Sequence, residues 1–239
     1  VKKAPKIIHV DDFILIIDKP AGILTIPDRY DPEAPVALLM LEPELGSLFI
    51  VHRIDKDTSG VLAYARNEVA HKTLSLQFST REVEKSYLLL VRGNVEKDAW
   101  DCSDALLADA DRLHRTIVNS KKGKASYTAF EVVERLGDFT LVRAKPETGR
   151  THQIRVHCAA TGYPIVGDPL YGDGEALKLS TLKRRWKGDP FEEKPLISRT
   201  ALHAEKIRFA HPKDGKIVAF EAPLPRDFSA ALSQLRRNS

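Results

Sequence analysis

Two short apolar runs, residues 48–51 and 61–65, bracket the polar segment His52-Arg53-Ile54-Asp55-Lys56-Asp57-Thr58-Ser59-Gly60. Both runs have the length and composition of buried strands. A chain that buries both must leave the polar segment as a loop gripped at each end by the core. Such a loop presents its side chains rigidly, which suits a reactive group. Asp55 is the candidate. Read locally, Asp55 and Asp57 are explained as well by turn formation, because Asp readily bonds its own backbone.

The rest of the chain sets the architecture. Residues 7–10 and 13–17 read as a hairpin around Asp11-Asp12. Lys19-Pro20-Ala21-Gly22 is a turn. Residues 27–35 carry three prolines and read as a surface loop, and residues 35–41 as a short helix opened by its proline. Asn67 is a sensible N-cap with Glu68 behind it, and Ala70, Leu74 and Phe78 step by four, so a helix is predicted over 68–79. Residues 83–91 form a strand containing Tyr87, ended by Gly93-Asn94. Residues 94–124 show no usable periodicity. Residues 126–133 and 139–144 pair around Leu136-Gly137-Asp138. A turn at Gly149 leads into a helix that stops near Gly162. Residues 163–199 read as long loops with short helical pieces. Strands follow at 202–209 and 216–220, and a closing helix at 227–237. Strands come in adjacent pairs without regular strand–helix alternation. The predicted fold class is therefore α+β, a central mixed and largely antiparallel sheet flanked by helices and loops. With 239 residues, the expectation is a single domain over 1–239.

Composition removes several function classes. No apolar run approaches the roughly 20 residues of a membrane span, and the start has no signal-peptide pattern. Cys102 and Cys158 are too few for a disulfide framework, so a reducing cytoplasm is expected. A net charge of +4 permits an anionic partner without demanding one. The cations cluster at Lys121, Lys122 and Lys124, and again at Lys183, Arg184, Arg185 and Lys187 around Trp186. Either cluster fits a phosphate backbone or an ordinary solvated loop.

His152, His157 and Cys158 fit no usual zinc spacing. A GxxxxGK[ST] phosphate loop, GxGxxG and GxSxG are all absent. A two-metal nuclease built on Asp55 and Asp57 is the enzymatic rival, weakened by Arg53 and Lys56 among the acids. As a nucleophile at carbon, Asp55 needs a cation to keep it ionised and aimed. Arg155 and Arg150 are equally available for that from the residues alone. Tyr87 offers an aromatic face or a phenol, or is simply a core tyrosine.

HRIDKDTSG resembles the HRLDxxTSG motif of the RluA-type family of RNA pseudouridine synthases. Further matches follow in the family's order: Lys19-Pro20-Ala21-Gly22 with its NKPxG segment, Lys85-Ser86-Tyr87 with KxY, residues 149–157 with GRTHQIRVH, Gly167-Asp168-Pro169-Leu170-Tyr171-Gly172 with GDxxYG, and Ala201-Leu202-His203-Ala204 with the LHA strand. The resemblance spans roughly residues 7–223. Ile54 replaces the usual leucine, a volume-conserving change. Asp18 stands for Asn, and Leu89 for a small residue.

The resemblance implies an isomerase that converts uridine to pseudouridine in ribosomal or transfer RNA, with no cofactor and no metal. By carry-over Asp55 is the essential aspartate, and Arg155 its partner. Tyr87 stacks on the uracil and assists loss of the C5 proton. Leu202 packs on the other side of the base. Arg150 helps build the site or contacts phosphate. Arg53 fills the space of a flipped base. The two basic clusters hold flanking RNA. The first strand begins by residue 7, so no S4-type RNA-binding domain is expected at the N-terminus, and RNA selection falls to the catalytic domain. A monomer is the default. The rival from another class is an RNA-binding protein that kept the fold and lost catalysis.

Overall fold

The structure is a computed structural model that describes residues 4–27, 32–183 and 185–238. The elements run β1 (Lys6–Val10), β2 (Ile14–Lys19), α1 (Ala37–Leu45), β3 (Phe49–Ile50), β4 (Ser59–Ala65), α2 (Glu68–Ser79), β5 (Glu84–Arg92), β6 (Ala99–Cys102), β7 (Leu106–Leu107), β8 (Ile117–Val118), β9 (Thr128–Leu136), β10 (Phe139–Pro146), α3 (Gln153–Ala160), α4 (Leu179–Leu182), β11 (Leu202–Ala210), β12 (Ile217–Glu221) and α5 (Arg226–Asn238). They fall into two compact units. One is the chain up to Tyr87 with His203–Pro223, and the other is Leu88–Leu202 with the chain from Leu224 onward.

In the first unit β2 lies between β1 and β4, antiparallel to both. β4 runs parallel to β11, with His203 opposite Ser59 and Ala204 opposite Gly60. β12 returns antiparallel along β11. The sheet is thus mixed but mainly antiparallel, as the pairing of strands predicts. β4 is buried at every position, which explains its unbroken small and apolar composition. Its start approaches β11 so closely that a side chain at Gly60 (φ +112°) would place its Cβ 2.1 Å from the Ala204 carbonyl oxygen. Ile14, Ile17, Leu62, Tyr64, Leu74 and Phe209 centre the core. α2 begins at the predicted cap, where Asn67 Oδ1 accepts the Ala70 N–H at 2.8 Å. Ala70 and Leu74 are its buried apolar positions.

In the second unit β9 and β10 form a hairpin with Leu136 opposite Phe139. Its two-residue turn uses Gly137 at φ +64°, a conformation tight hairpins need. β6 extends this pair along β9. It lies, with the short β7–β8 ribbon, in the stretch 94–124 where the sequence shows no period. α5 buries Phe228, Ala231, Leu232 and Leu235, spaced i, i+3, i+4, i+7. The loop expected over 27–35 is described except for residues 28–31. No helix among the described residues is long and apolar enough to cross a membrane.

Candidate active site

In the first unit, the loop carrying Asp55 is gripped through its main chain. Lys19 is fully buried, and its ammonium donates to the carbonyls of Pro20 (3.1 Å), Ile23 (2.7 Å) and Lys56 (3.1 Å). The Gly22 N–H donates to the same Lys56 carbonyl at 2.8 Å. On the other side of Asp55, the Thr25 hydroxyl donates to the Ile54 carbonyl at 2.9 Å and accepts the Ile54 N–H at 3.3 Å. Asp55 therefore sits between two pinned peptides, and its own carbonyl accepts the Thr58 N–H at 3.1 Å.

His52 anchors the loop's entry. Its Nε2 accepts the Ala63 N–H at 3.0 Å, and its ring stacks on Phe78 at 4.7 Å. That acceptor role requires the neutral Nδ1–H tautomer. Burial, with the nearby Lys85 charge second, pushes its pKa down to about 3. The loop's exit is held by His203, whose Nε2 pairs with the Ala222 carbonyl at 3.1 Å while its Nδ1 meets the Ser59 hydroxyl at 3.0 Å.

Tyr87 comes to this loop on β5. Glu84 pairs with Arg208, and Ser86 donates to Glu205 at 2.9 Å. Alternation then turns Lys85 and Tyr87 to the opposite face. The Tyr87 phenol is pushed well above its ordinary pKa, first by burial and then by the Asp55 carboxylate. The fold thus brings Asp55 and Tyr87 into each other's field. Arg53, on the same loop, is exposed.

In the second unit Arg155 projects from α3 as a buried residue. Its Nε and Nη2 donate to Asp168 Oδ2 (2.7 Å) and Oδ1 (2.8 Å), a side-on bidentate pair. The guanidinium carbon lies 5.0 Å from the centre of the Tyr171 ring. The Tyr171 hydroxyl accepts the Thr116 N–H at 2.8 Å and pairs with His152 Nδ1 at 2.9 Å. His152, immediately before α3, holds a left-handed backbone at φ 54°, a strained choice for a side-chain-bearing residue.

α3 is seated by a buried polar chain. Thr148 donates to Gln153 Oε1 (2.7 Å), and Gln153 Nε2 donates to Thr128 Oγ1 (2.9 Å). Thr128 Oγ1 meets His157 Nδ1 at 3.0 Å, and His157 Nε2 meets Ser126 Oγ at 3.0 Å. The Ser126 hydroxyl donates onward to the Asp104 carbonyl. Since Ser126 gives its proton to that carbonyl, His157 must donate from Nε2 and accept at Nδ1. Burial lowers the His157 pKa, in keeping with the neutral ring.

The remaining expected residues are placed as follows. Arg150 Nε and Nη2 both donate to the Ala125 carbonyl, at 3.2 and 3.1 Å. Leu202 is buried at the start of β11. Lys121, Lys122 and Lys124 are exposed, as are Lys183, Arg185 and Lys187, while Arg184 lies outside the described residues. Sequence reasoning did not identify Lys19 and Thr25 as clamps, nor Asp168 as a partner of Arg155. Lys19 and Asp168 stand inside motifs visible in the sequence, but nothing local says that either is buried. Among the described residues, no group of three or more His, Cys, Asp or Glu could hold a metal ion.

Comparison with known proteins bears on the family and the fold. A family model described as RNA pseudouridylate synthase matches residues 13–160. The ribosomal large subunit pseudouridine synthase D of Xanthomonas campestris is 38% identical over 98% of this chain and 70% of its own length. Its namesake in Nitrosomonas europaea is 38% identical over 97% of this chain and 65% of its own length. The solved structure of human RNA pseudouridylate synthase domain containing 1 superposes with a TM-score of 0.70 at 30% identity, covering 92% of this chain and 84% of that one. Motif order, fold and similarity converge: the chain belongs to the RluA-type RNA pseudouridine synthases and is an isomerase of that family.

Proposed function

We propose that this chain isomerises uridine to pseudouridine in ribosomal or transfer RNA, that Asp55 is its nucleophile, and that the target base is flipped out of its stack. Ribosomal RNA is the first substrate class to test, because the relatives above are named for the large ribosomal subunit. The observation that carries the reading is Asp55 held between two pinned peptides with the Tyr87 phenol in its field. Asp55 bonds covalently to the ribose or the base. On either route the N1–C1′ bond breaks, the uracil turns, a C5–C1′ bond forms, the bond to Asp55 breaks to regenerate its carboxylate, C5 gives up its proton and N1 takes one up. No atom is gained or lost apart from exchange of that proton with water.

A tyrosine is neutral at physiological pH, and burial with the Asp55 carboxylate moves Tyr87 further from ionising. It therefore offers a ring face and an O–H rather than a phenolate, which favours stacking on the uracil over direct proton abstraction. Arg155 supplies the positive charge that the resemblance assigns to it. Leu202 packs on the base, Arg150 supports the site or meets phosphate, and Arg53 occupies the space of the flipped base. The chain works as a single catalytic domain over residues 1–239, as a monomer and without a metal.

The test is tritium release from [5-³H]uridine-labelled ribosomal and transfer RNA that lacks the modification, with EDTA present throughout. The wild-type protein releases tritium from at least one of the two RNA classes. Asp55→Asn falls by at least about 10⁴-fold, the scale of losing a nucleophile. Equal release by both proteins removes Asp55 from the nucleophile role. RNA binding without any release supports a binding protein that has lost catalysis.

A further inference from the structure

A guanidinium can meet a carboxylate along two edges, side-on through Nε and one Nη, or end-on through Nη1 and Nη2. Arg155 spends its side-on edge on Asp168. Any other anion paired bidentately with Arg155 must take the end-on edge. One face of the guanidinium is covered by the Tyr171 ring.

Both groups come from one tightly closed loop. Asp168 Oδ1 also accepts the N–H groups of Leu170 (3.0 Å) and Tyr171 (3.2 Å). The Asp168 carbonyl accepts those of Gly172 and Gly174, each at 3.1 Å. Gly167 enters the loop at φ +71°, where a Cβ would lie 2.4 Å from the Arg199 carbonyl oxygen. The Tyr171 hydroxyl is fixed in turn by Thr116 and His152. The side chains of Arg155 and Asp168 are 8% and 0% exposed.

Stability alone is a poor reason for such a cradle, since a buried ion pair can often be replaced by packed apolar groups without loss. What an apolar pair cannot do is hold a charged fork in one plane. We propose that Asp168 and Tyr171 are positioning residues of the isomerisation, which fix the plane of Arg155 and reserve its Nη1–Nη2 edge for an anionic group of the reaction. The inference rests on the reading that Arg155 acts in that reaction.

The experiment measures kcat and KM by tritium release, with thermal midpoints, for Asp168→Asn, Tyr171→Phe, Arg155→Met and the double variant Arg155→Met/Asp168→Asn. Asp168→Asn lowers kcat about 100-fold, the scale of a misplaced catalytic group, with KM little changed. Tyr171→Phe keeps the ring and lowers kcat about fivefold, the scale of one neutral hydrogen bond. In the Arg155→Met background, Asp168→Asn adds less than about twofold, because residues that act through one another are not additive. Wild-type kcat in Arg155→Met overturns the catalytic reading of Arg155, and the cradle with it. A slow Arg155→Met beside a wild-type kcat in Asp168→Asn overturns the cradle alone, as does a full additive loss in the double variant. If Asp168→Asn fails to fold, Tyr171→Phe decides: a fivefold fall at constant KM supports the cradle, and an unchanged kcat removes it.

Discussion

The Asp55 loop and the Arg155 helix are held by different means. In the first unit the grip is on the main chain: Thr25 takes both polar groups of Ile54, and Lys19 takes the carbonyl of Lys56. In the second unit the side chain itself is held, by Asp168 and the Tyr171 ring, above a helix seated through Gln153 and His157. The difference fits the roles proposed above. A nucleophilic carboxylate can be aimed through the peptides on either side of it, and an arginine that acts by charge loses nothing when one edge is clamped.

Breaking the main-chain grip has the largest expected effect. Lys19→Met takes the buried ammonium from the carbonyls of Pro20, Ile23 and Lys56, of which the last keeps the Gly22 N–H, and destabilises the fold by about 3 kcal/mol. It also lowers kcat about tenfold through displacement of the Asp55 loop. Urea unfolding and tritium release together test this. A large stability loss with an intact kcat would show that the clamp serves folding alone and does not aim Asp55.

Acid titration sharpens the comparison. In the folded chain His52 stays neutral to about pH 3, whereas the unfolded imidazole titrates near 6.5. As pH falls below 6.5 the unfolded chain takes up a proton that the folded chain refuses, so stability drops until about pH 3 and then levels off. His157 shifts in the same direction and adds to the slope. Urea unfolding at pH 7 and pH 4.5 reads this loss, and His52→Gln reduces it. A wild-type slope in His52→Gln would place the titration elsewhere.

His157→Leu costs about 2 kcal/mol, because it leaves Thr128 and Ser126 without their buried partner. His157→Gln, able to donate and accept at once, recovers about half of that. Equal losses in the two variants, seen by thermal denaturation, would mean that ring volume rather than the directed chain seats α3. The smallest effect is expected at Thr25→Val, about 1 kcal/mol with a kcat loss below about fivefold, since Lys19 still pins the other side of Asp55.

Much of this was legible in the residues. The Asn67 cap, the β9–β10 turn at Gly137 and the apolar stripe of α5 are local signals, and each element lies within a few residues of its expected place. β6, β7 and β8 were not legible, because strands this short rest on partners such as β9 rather than on any period of their own. In the site, Asp55 and Tyr87 stood out through their motifs, and the fold sets them in a common field. Lys19 as a buried clamp did not, because lysine is rarely buried at all. Nor did the pairing of Arg155 with Asp168.

By itself the sequence determined most of the elements, their largely antiparallel pairing and the family, and it singled out the residues proposed to carry the chemistry, because these depend on near neighbours and on contiguous motifs. Only the tertiary structure decided which polar groups are buried and what satisfies them. Lys19 meets Lys56 across 37 positions, Thr25 meets Ile54 across 29, and Ser59 meets His203 across 144. Such partners are selected by the demand that every buried donor and acceptor be met, a demand that arises only once the chain has packed.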